Sequence, residues 1–303
     1  MTLVAGGLLI LAVLLVGPVP AMLARAGWPV RAPRAGLVLW QAVGLAGGLS
    51  AVGAGVAYGL APLGSTLPAA VAGAGRLLTS GSLVLPVHRW LALVAAGALA
   101  GRLLVTLVGS ALRTWRMRRR HRHLVDLLSQ PMPDLAGIRL LDSPAAVAYC
   151  LPGRRSRVVF SAGAVAALDR AELSAVLAHE RAHLAERHDL VLLPFAASAA
   201  ALPWFPGVRR ARIAVAGLVE MVADDRARLG RDPRPLASAI ARLAGGGVPG
   251  GALAVAASVT VQRVDRLLGA TPPASVVVRL AAYVAAALLV AGPTAVLLTP
   301  ALG

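Results

Sequence analysis

Two histidines four residues apart, with a glutamate directly after the first, form an HExxH motif: His179-Glu180-Arg181-Ala182-His183. On a helix these residues share a face, so both imidazoles can be directed at one metal ion while Glu180 reaches a water beside it. That set suits metal-assisted peptide hydrolysis, in which imidazoles hold zinc and a carboxylate takes the proton of the attacking water. Catalytic zinc ordinarily has three protein ligands and keeps a fourth position for water, so two histidines are not enough. Downstream, the run Leu218-Val219-Glu220-Met221-Val222-Ala223-Asp224-Asp225-Arg226-Ala227 puts Glu220 and Asp224 on one helical face. Glu220 is the candidate third ligand, and Asp224 the candidate acceptor for the imidazole N–H of a ligating histidine. Glu186, Asp189 and Asp225 are its rivals, although Glu186 reads more simply as an ordinary exposed side chain. His188 and Arg226 are candidates for transition-state support. A structural role weighs more for each, Arg226 being expected to pair with Asp225 or another nearby acid.

The motif needs a helix, and the sequence provides one. Asp169 with Glu172 three positions on resembles a capping box, and Leu173, Val176, Leu177 and Leu184 recur at helical spacing. Ahead of it, Ile138 to Leu141, Ala146 to Leu151 and Val158 to Ser161 read as short strands separated by turn residues. The strand around Val158 to Ser161 is expected to offer an edge to an extended peptide. Cys150 is the single cysteine, so no intramolecular disulfide forms; it reads as a small buried residue in a reducing compartment.

Composition places this machinery at a membrane. Of 303 residues 58% are hydrophobic and only 14% charged, with a mean hydropathy of +0.75. Four stretches have the roughly 20 apolar residues that a span needs: Leu3 to Ala24, Ala35 to Leu60, Leu91 to Ser110 and Val276 to Thr299. All 13 acidic residues lie between Asp126 and Asp265. The fold expected is therefore mainly α: residues 1–110 with three transmembrane helices, 111–275 as an α+β, gluzincin-like metallopeptidase domain, and 276–303 as the fourth span. Arg102, deep in the third span, should face other helices or water. Glycines of the second span, Gly44, Gly47, Gly48, Gly53 and Gly55, should let helices approach closely.

Arginines cluster after the first and third spans (Arg25, Arg31, Arg34; Arg113 to Arg122), which by the positive-inside rule puts 111–275 in the cytoplasm and both termini outside. The chain has no positive n-region before its first apolar run, so that run is expected to be a retained span. A formal net charge of +17 carried by arginine without lysine fits a GC-rich bacterial genome, hence a bacterial plasma membrane. No basic groove with interleaved aromatics is present, so direct nucleic-acid binding is not expected. The apolar segment 190–206, interrupted by Pro194, Pro203 and Pro206, is short for a span. A complete crossing there would separate Glu220 from the histidines, so it must be buried, interfacial or re-entrant.

The motif, then Arg187-His188-Asp189, then Pro203-Trp204-Phe205-Pro206, then Glu220 with Ala223-Asp224, resembles the BlaR/MecR-type membrane metallopeptidases, the antirepressor family, over about 138–270. More distantly the chain resembles HtpX-type peptidases. The likeness implies one zinc per chain, an endopeptidase activity and a protein substrate, a transcriptional repressor in the antirepressor family. The HtpX likeness implies quality control of membrane proteins instead. Two departures stand out: the usual Asn of the Trp-Phe-Asn-Pro turn is missing, and Ala223 replaces a Cys, nearer the HtpX form. The sequence ends at Gly303 directly after the fourth span, so no penicillin-binding sensor is expected. A non-catalytic transducer keeping the fold is the reading from another class, opposed by the completeness of the motif.

Overall fold

Long uncharged runs with few breakers give a helical molecule, and the breakers fix where it bends. The computed structural model describes residues 1–81, 84–132, 138–153, 156–244 and 253–299. Helices α1 (Thr2–Val16) and α2 (Pro18–Arg25) meet at Gly17, where Pro18 withholds a backbone N–H. The short α3 (Trp28–Arg31) leads to α4 (Pro33–Leu60), then a 3-10 turn (Ala61–Leu63) and α5 (Leu67–Thr79), which the sequence reading did not foresee. Next comes α6 (Val87–Leu128), 42 residues and so about 63 Å long. It runs without a break through the arginine cluster, so the boundary expected at 110–111 falls inside one helix. Four helical stretches are long and apolar enough to cross a membrane: Thr2–Arg25, Pro33–Leu63, Val87–Leu128 and a last helix, Val276–Leu298.

The second of these, α4, packs against α1, α6 and the last helix. A Cβ on Gly53 would meet Leu8 and Leu297, and one on Gly55 would meet Ala96 at 2.8 Å, so both glycines permit close approach as expected. Gly44 and Gly48 do not: nothing lies within 3.9 Å of a Cβ at either.

After α6 comes a four-stranded sheet of β1 (Ser129–Pro131), β2 (Ile138–Leu141), β3 (Ala148–Leu151) and β4 (Arg157–Ser161), in the order β1-β2-β4-β3. The strands β2 and β4 are parallel and the other pairs antiparallel. Val158, Val159 and Phe160 are all buried because both faces of β4 are covered, Val158 and Phe160 packing with Val176 and Leu177, and Val159 with Val125 and Leu151. With β2 on one side and β3 on the other, β4 has no free edge to offer a peptide, contrary to the expectation from sequence; the outer strands are β1 and β3.

Helices α7 (Ala162–Ala167), α8 (Arg170–Ala185), α9 (His188–Ala201), α10 (Pro206–Ala227), α11 (Arg234–Ala244) and α12 (Leu253–Leu267) follow, and Val276–Leu298 is α13. One core joins the sheet to α8 through Ile138, Val158, Phe160, Val176 and Leu177. A second joins α10 to the membrane-type helices through Leu37, Trp40, Phe195, Val215, Leu218 and Met221. Each large aliphatic side chain so buried contributes about 1.5–3 kcal/mol.

The segment 190–206 forms one arm and the turn of a helical hairpin. Asp189 at the start of α9 accepts from Arg118 Nη1 at 2.6 Å, and Ala201 at its end accepts from Arg102 Nε at 2.6 Å, so α9 runs antiparallel to α6. The chain turns at 202–205 and α10 returns against α9. Arg102 thus faces other helices: it meets the last carbonyls of α9, where a cation is favoured, and lies 5.2 Å from the Trp204 ring centroid. Pro194 interrupts the α9 ladder, and Gln41 Nε2 of α4 donates to Val191 O close by at 2.9 Å.

Candidate metal centre

The helix that carries the HExxH motif is fixed at its start. Asp169 Oδ1 accepts from Glu172 N at 2.8 Å and Glu172 Oε2 from Asp169 N at 2.9 Å, the capping box read from the sequence. Glu172 is buried and also accepts from Ser238 Oγ, with Arg242 Nε 3.2 Å away, so α11 clasps the same turn. At the other end, Arg187 adopts φ 50°, ψ 44°, a left-handed conformation that costs a non-glycine residue about 1–2 kcal/mol. It ends α8 and turns the chain so that His188 opens α9 beside His183.

The three candidate ligands come together. His179 Nε2 and His183 Nε2 are 3.0 Å apart, His179 Nε2 lies 3.4 Å from Glu220 Oε2, and His183 Nε2 lies 3.5 Å from Glu220 Oε1. A tetrahedral ion with ligands at about 2.0–2.1 Å has donor-to-donor edges of about 3.3–3.4 Å, so this triangle has the size that zinc requires. Two imidazole lone pairs at 3.0 Å repel unless a proton or a cation lies between them, and a carboxylate completes the set. The donors fit the metal.

Each outer imidazole nitrogen lies within 2.9 Å of a polar atom. His179 Nδ1 stands 2.9 Å from Asp224 Oδ1, and His183 Nδ1 stands 2.9 Å from His188 Nδ1. Asp224, which can only accept, favours the His179 tautomer that leaves the Nε2 lone pair facing the centre; His188 does the same for His183 when its own Nδ1 is the acceptor. His188 therefore stands behind His183, at the ring nitrogen remote from Glu220; its own Nε2 is buried and has no partner among the described residues. Arg226 pairs with Glu186 at 2.9 Å, not with Asp225, and Glu186 also accepts from Arg34 at 2.8 Å. Glu186 is thus an ion-pair centre with its side chain 18% exposed, not the ordinary exposed side chain expected. The rivals for the third position are all engaged by arginines: Asp189 by Arg118, and Asp225 by Arg228 and Arg266.

Arg263 of α12 is the residue that sequence reasoning missed. Its Nε and Nη2 each donate to Asp224 at 2.8 Å, and Nη1 lies 3.1 Å from Glu220 Oε2. No local spacing signals this contact, because 39 residues separate the partners. An arginine in an otherwise amphipathic helix was the only sign available.

The electrostatics follow from burial and pairing. Burial pushes the Glu220 carboxyl up, but the hydrogen bond to His179 and the Arg263 charge outweigh it and hold it at about 2. For His179, burial acts downward and is overcome by Asp224 and Glu220, giving about 9. Burial takes His183 down to about 4, a neutral imidazole with a free lone pair. Glu180 is raised by burial, against the opposing pull of His179 and a hydrogen bond with Cys150. That contact places β3 beside the motif, and burial together with Glu180 raises the Cys150 thiol to about 12, an inert thiol.

No curated protein and no solved structure matches the chain. The family model described as Peptidase family M48 does match, over residues 111–224, a stretch that runs from inside α6 through the sheet and the HExxH helix to Asp224. The match supports the M48 membrane zinc metallopeptidase family for this segment, and with it a metallopeptidase in which His179, His183 and Glu220 form a group able to bind a metal.

Proposed function

We propose that this protein is an integral-membrane zinc endopeptidase that cuts a cytoplasmic or membrane-proximal protein. The observation that carries the reading is the triangle of His179 Nε2, His183 Nε2 and the Glu220 carboxylate, with edges of 3.0–3.5 Å. Zinc bound there supplies Lewis acidity toward water and the scissile carbonyl. Asp224 and His188 hold the two imidazoles in orientation, and Arg263 fixes Asp224. Glu180, on the face of α8 shared with the histidines, takes the proton of the attacking water and returns it to the leaving amine. Its raised affinity for protons suits both transfers. The outer strand β3 pairs with an extended substrate, since Cys150 at its centre touches Glu180 and the strand bonds only to β4 among the described residues. Arg226, committed to Glu186, is a positioning residue in this reading.

In the proposed topology both termini lie outside a bacterial plasma membrane and 111–275 lies in the cytoplasm, supported by the arginine distribution. A transcriptional repressor is the substrate supported by the antirepressor likeness. The HtpX-type alternative, clipping of damaged membrane proteins, is favoured by Ala223, fully buried before Asp224. The test compares the cytoplasmic and membrane proteomes cut by the full chain and by Glu180→Gln in the same membranes. A single fragment pair absent from the variant supports regulation, and many fragments support quality control. Equal cutting by both proteins would end the peptidase reading.

A further inference from the structure

Between α1, α4, α6, α9, α10 and α13 lies a cavity of about 1030 Å³ with no charged residue in its wall. Gly44 and Gly48 make the room, since a Cβ at either meets nothing nearer than 3.9 Å. Gln41, one of the few polar side chains there, is already spent on Val191 O. The cavity is bordered by the membrane-type helices, and wall residues such as Val38, Leu45 and Leu104 are exposed, so it opens sideways. In a bilayer an opening of that kind meets hydrocarbon, and its wall offers water few partners.

One end of the cavity is formed by Gly207, Val208 and Ala211, the first turns of α10. Arg209, Arg210 and Arg212 alternate with them, are exposed, and have no acidic partner among the described residues. The first turn of α10 contains no acid, so its free N–H groups add to the same positive field. Immediately before it, Trp204 and Phe205 are exposed. An aliphatic slot ending in a cluster of unpaired arginines has the charge and polarity pattern of a phospholipid with a negative headgroup.

We propose that this cavity holds the acyl chains of an anionic phospholipid from the leaflet on the peptidase side, with its phosphate against Arg209, Arg210 and Arg212. From that headgroup to Glu220, α10 runs about 16 Å, so the lipid braces the helix that carries the third candidate ligand. The site is independent of the catalytic reading.

The test is native mass spectrometry of the full chain released from mild detergent, titrated with phosphatidylglycerol and with phosphatidylcholine. Each arginine at the bound headgroup contributes about fivefold to anionic lipid binding, so the triple variant Arg209→Ser, Arg210→Ser, Arg212→Ser should bind phosphatidylglycerol roughly a hundredfold more weakly, with phosphatidylcholine unchanged. Gly48→Leu, which fills the slot without changing charge, should weaken both lipids. Arg116→Ser, Arg119→Ser, Arg120→Ser, made in the other exposed arginine cluster, should retain phosphatidylglycerol within about threefold. Equal binding of the two lipids by the unaltered chain would overturn the proposal. So would undiminished phosphatidylglycerol binding in the Arg209 triple variant, or undiminished binding of both lipids in Gly48→Leu.

Discussion

Replacing Arg263 by methionine removes the clamp that the centre places on Asp224. The guanidinium donates to both oxygens of Asp224 at 2.8 Å, and its side chain is only 13% exposed against 1% for the carboxylate. Asp224 is left buried without those two hydrogen bonds, whereas Glu220, with its side chain 36% exposed, can recover its contact with Arg263 from solvent. Removing one member of such a buried pair costs about 3–5 kcal/mol, and methionine recovers only the packing of the stem. The loss should appear as undocking of α12 from α10. In metal-free protein, amides of α12 and of the last two turns of α10 that exchange by this undocking should exchange about 10²–10³ times faster, read by hydrogen–deuterium exchange of the full chain in detergent. Arg263→Lys keeps the charge but cannot form the two-pronged contact, so it should fall between. Exchange in Arg263→Met within threefold of the unaltered chain would refute the reasoning.

Arg102→Leu should release the turn of the α9–α10 hairpin, because Arg102 holds Ala201 O and the Trp204 face; exchange at 200–206 should rise by about tenfold, and no rise would contradict the assigned anchor. Gly207→Ala should lower the thermal midpoint markedly, since a Cβ there falls on the Val16 carbonyl oxygen, while Gly44→Ala, with 3.9 Å of room, should stay within a degree or two. Similar midpoints for the two variants would show that the start of α10 does not lie against the Val16 carbonyl.

What the sequence disclosed and what it hid separate along a physical line. Features set by local spacing were legible: the Asp169–Glu172 capping box, the shared face of His179 and His183, and the Glu220–Asp224 pair one turn apart. Strands β2 and β4 were also legible, because runs this short, rich in large apolar residues and bounded by turn residues, favour strand over helix. Features set by long-range pairing were not. Arg263 reaches Asp224 across 39 residues, Arg34 reaches Glu186 across 152, and nothing in either local sequence selects the partner. The edge of the sheet was misassigned for the same reason: β4 has the stronger strand pattern, but strand order depends on the β2–β4 crossover, which places weaker β3 outside. The length of α6 was hidden too, because a run of arginines stops insertion without stopping a helix, and α6 continues to Leu128.

The most direct measurement is zinc content and coordination of the purified full chain, by elemental analysis and X-ray absorption. We expect one zinc per chain with two imidazole nitrogens and a carboxylate oxygen at about 2.0–2.1 Å. We also expect His183→Gln and Glu220→Gln each to lose it on dialysis while Glu180→Gln keeps it. Zinc retained in Glu220→Gln with an unchanged absorption spectrum would show that the carboxylate on α10 is not a ligand and contradict the centre described above.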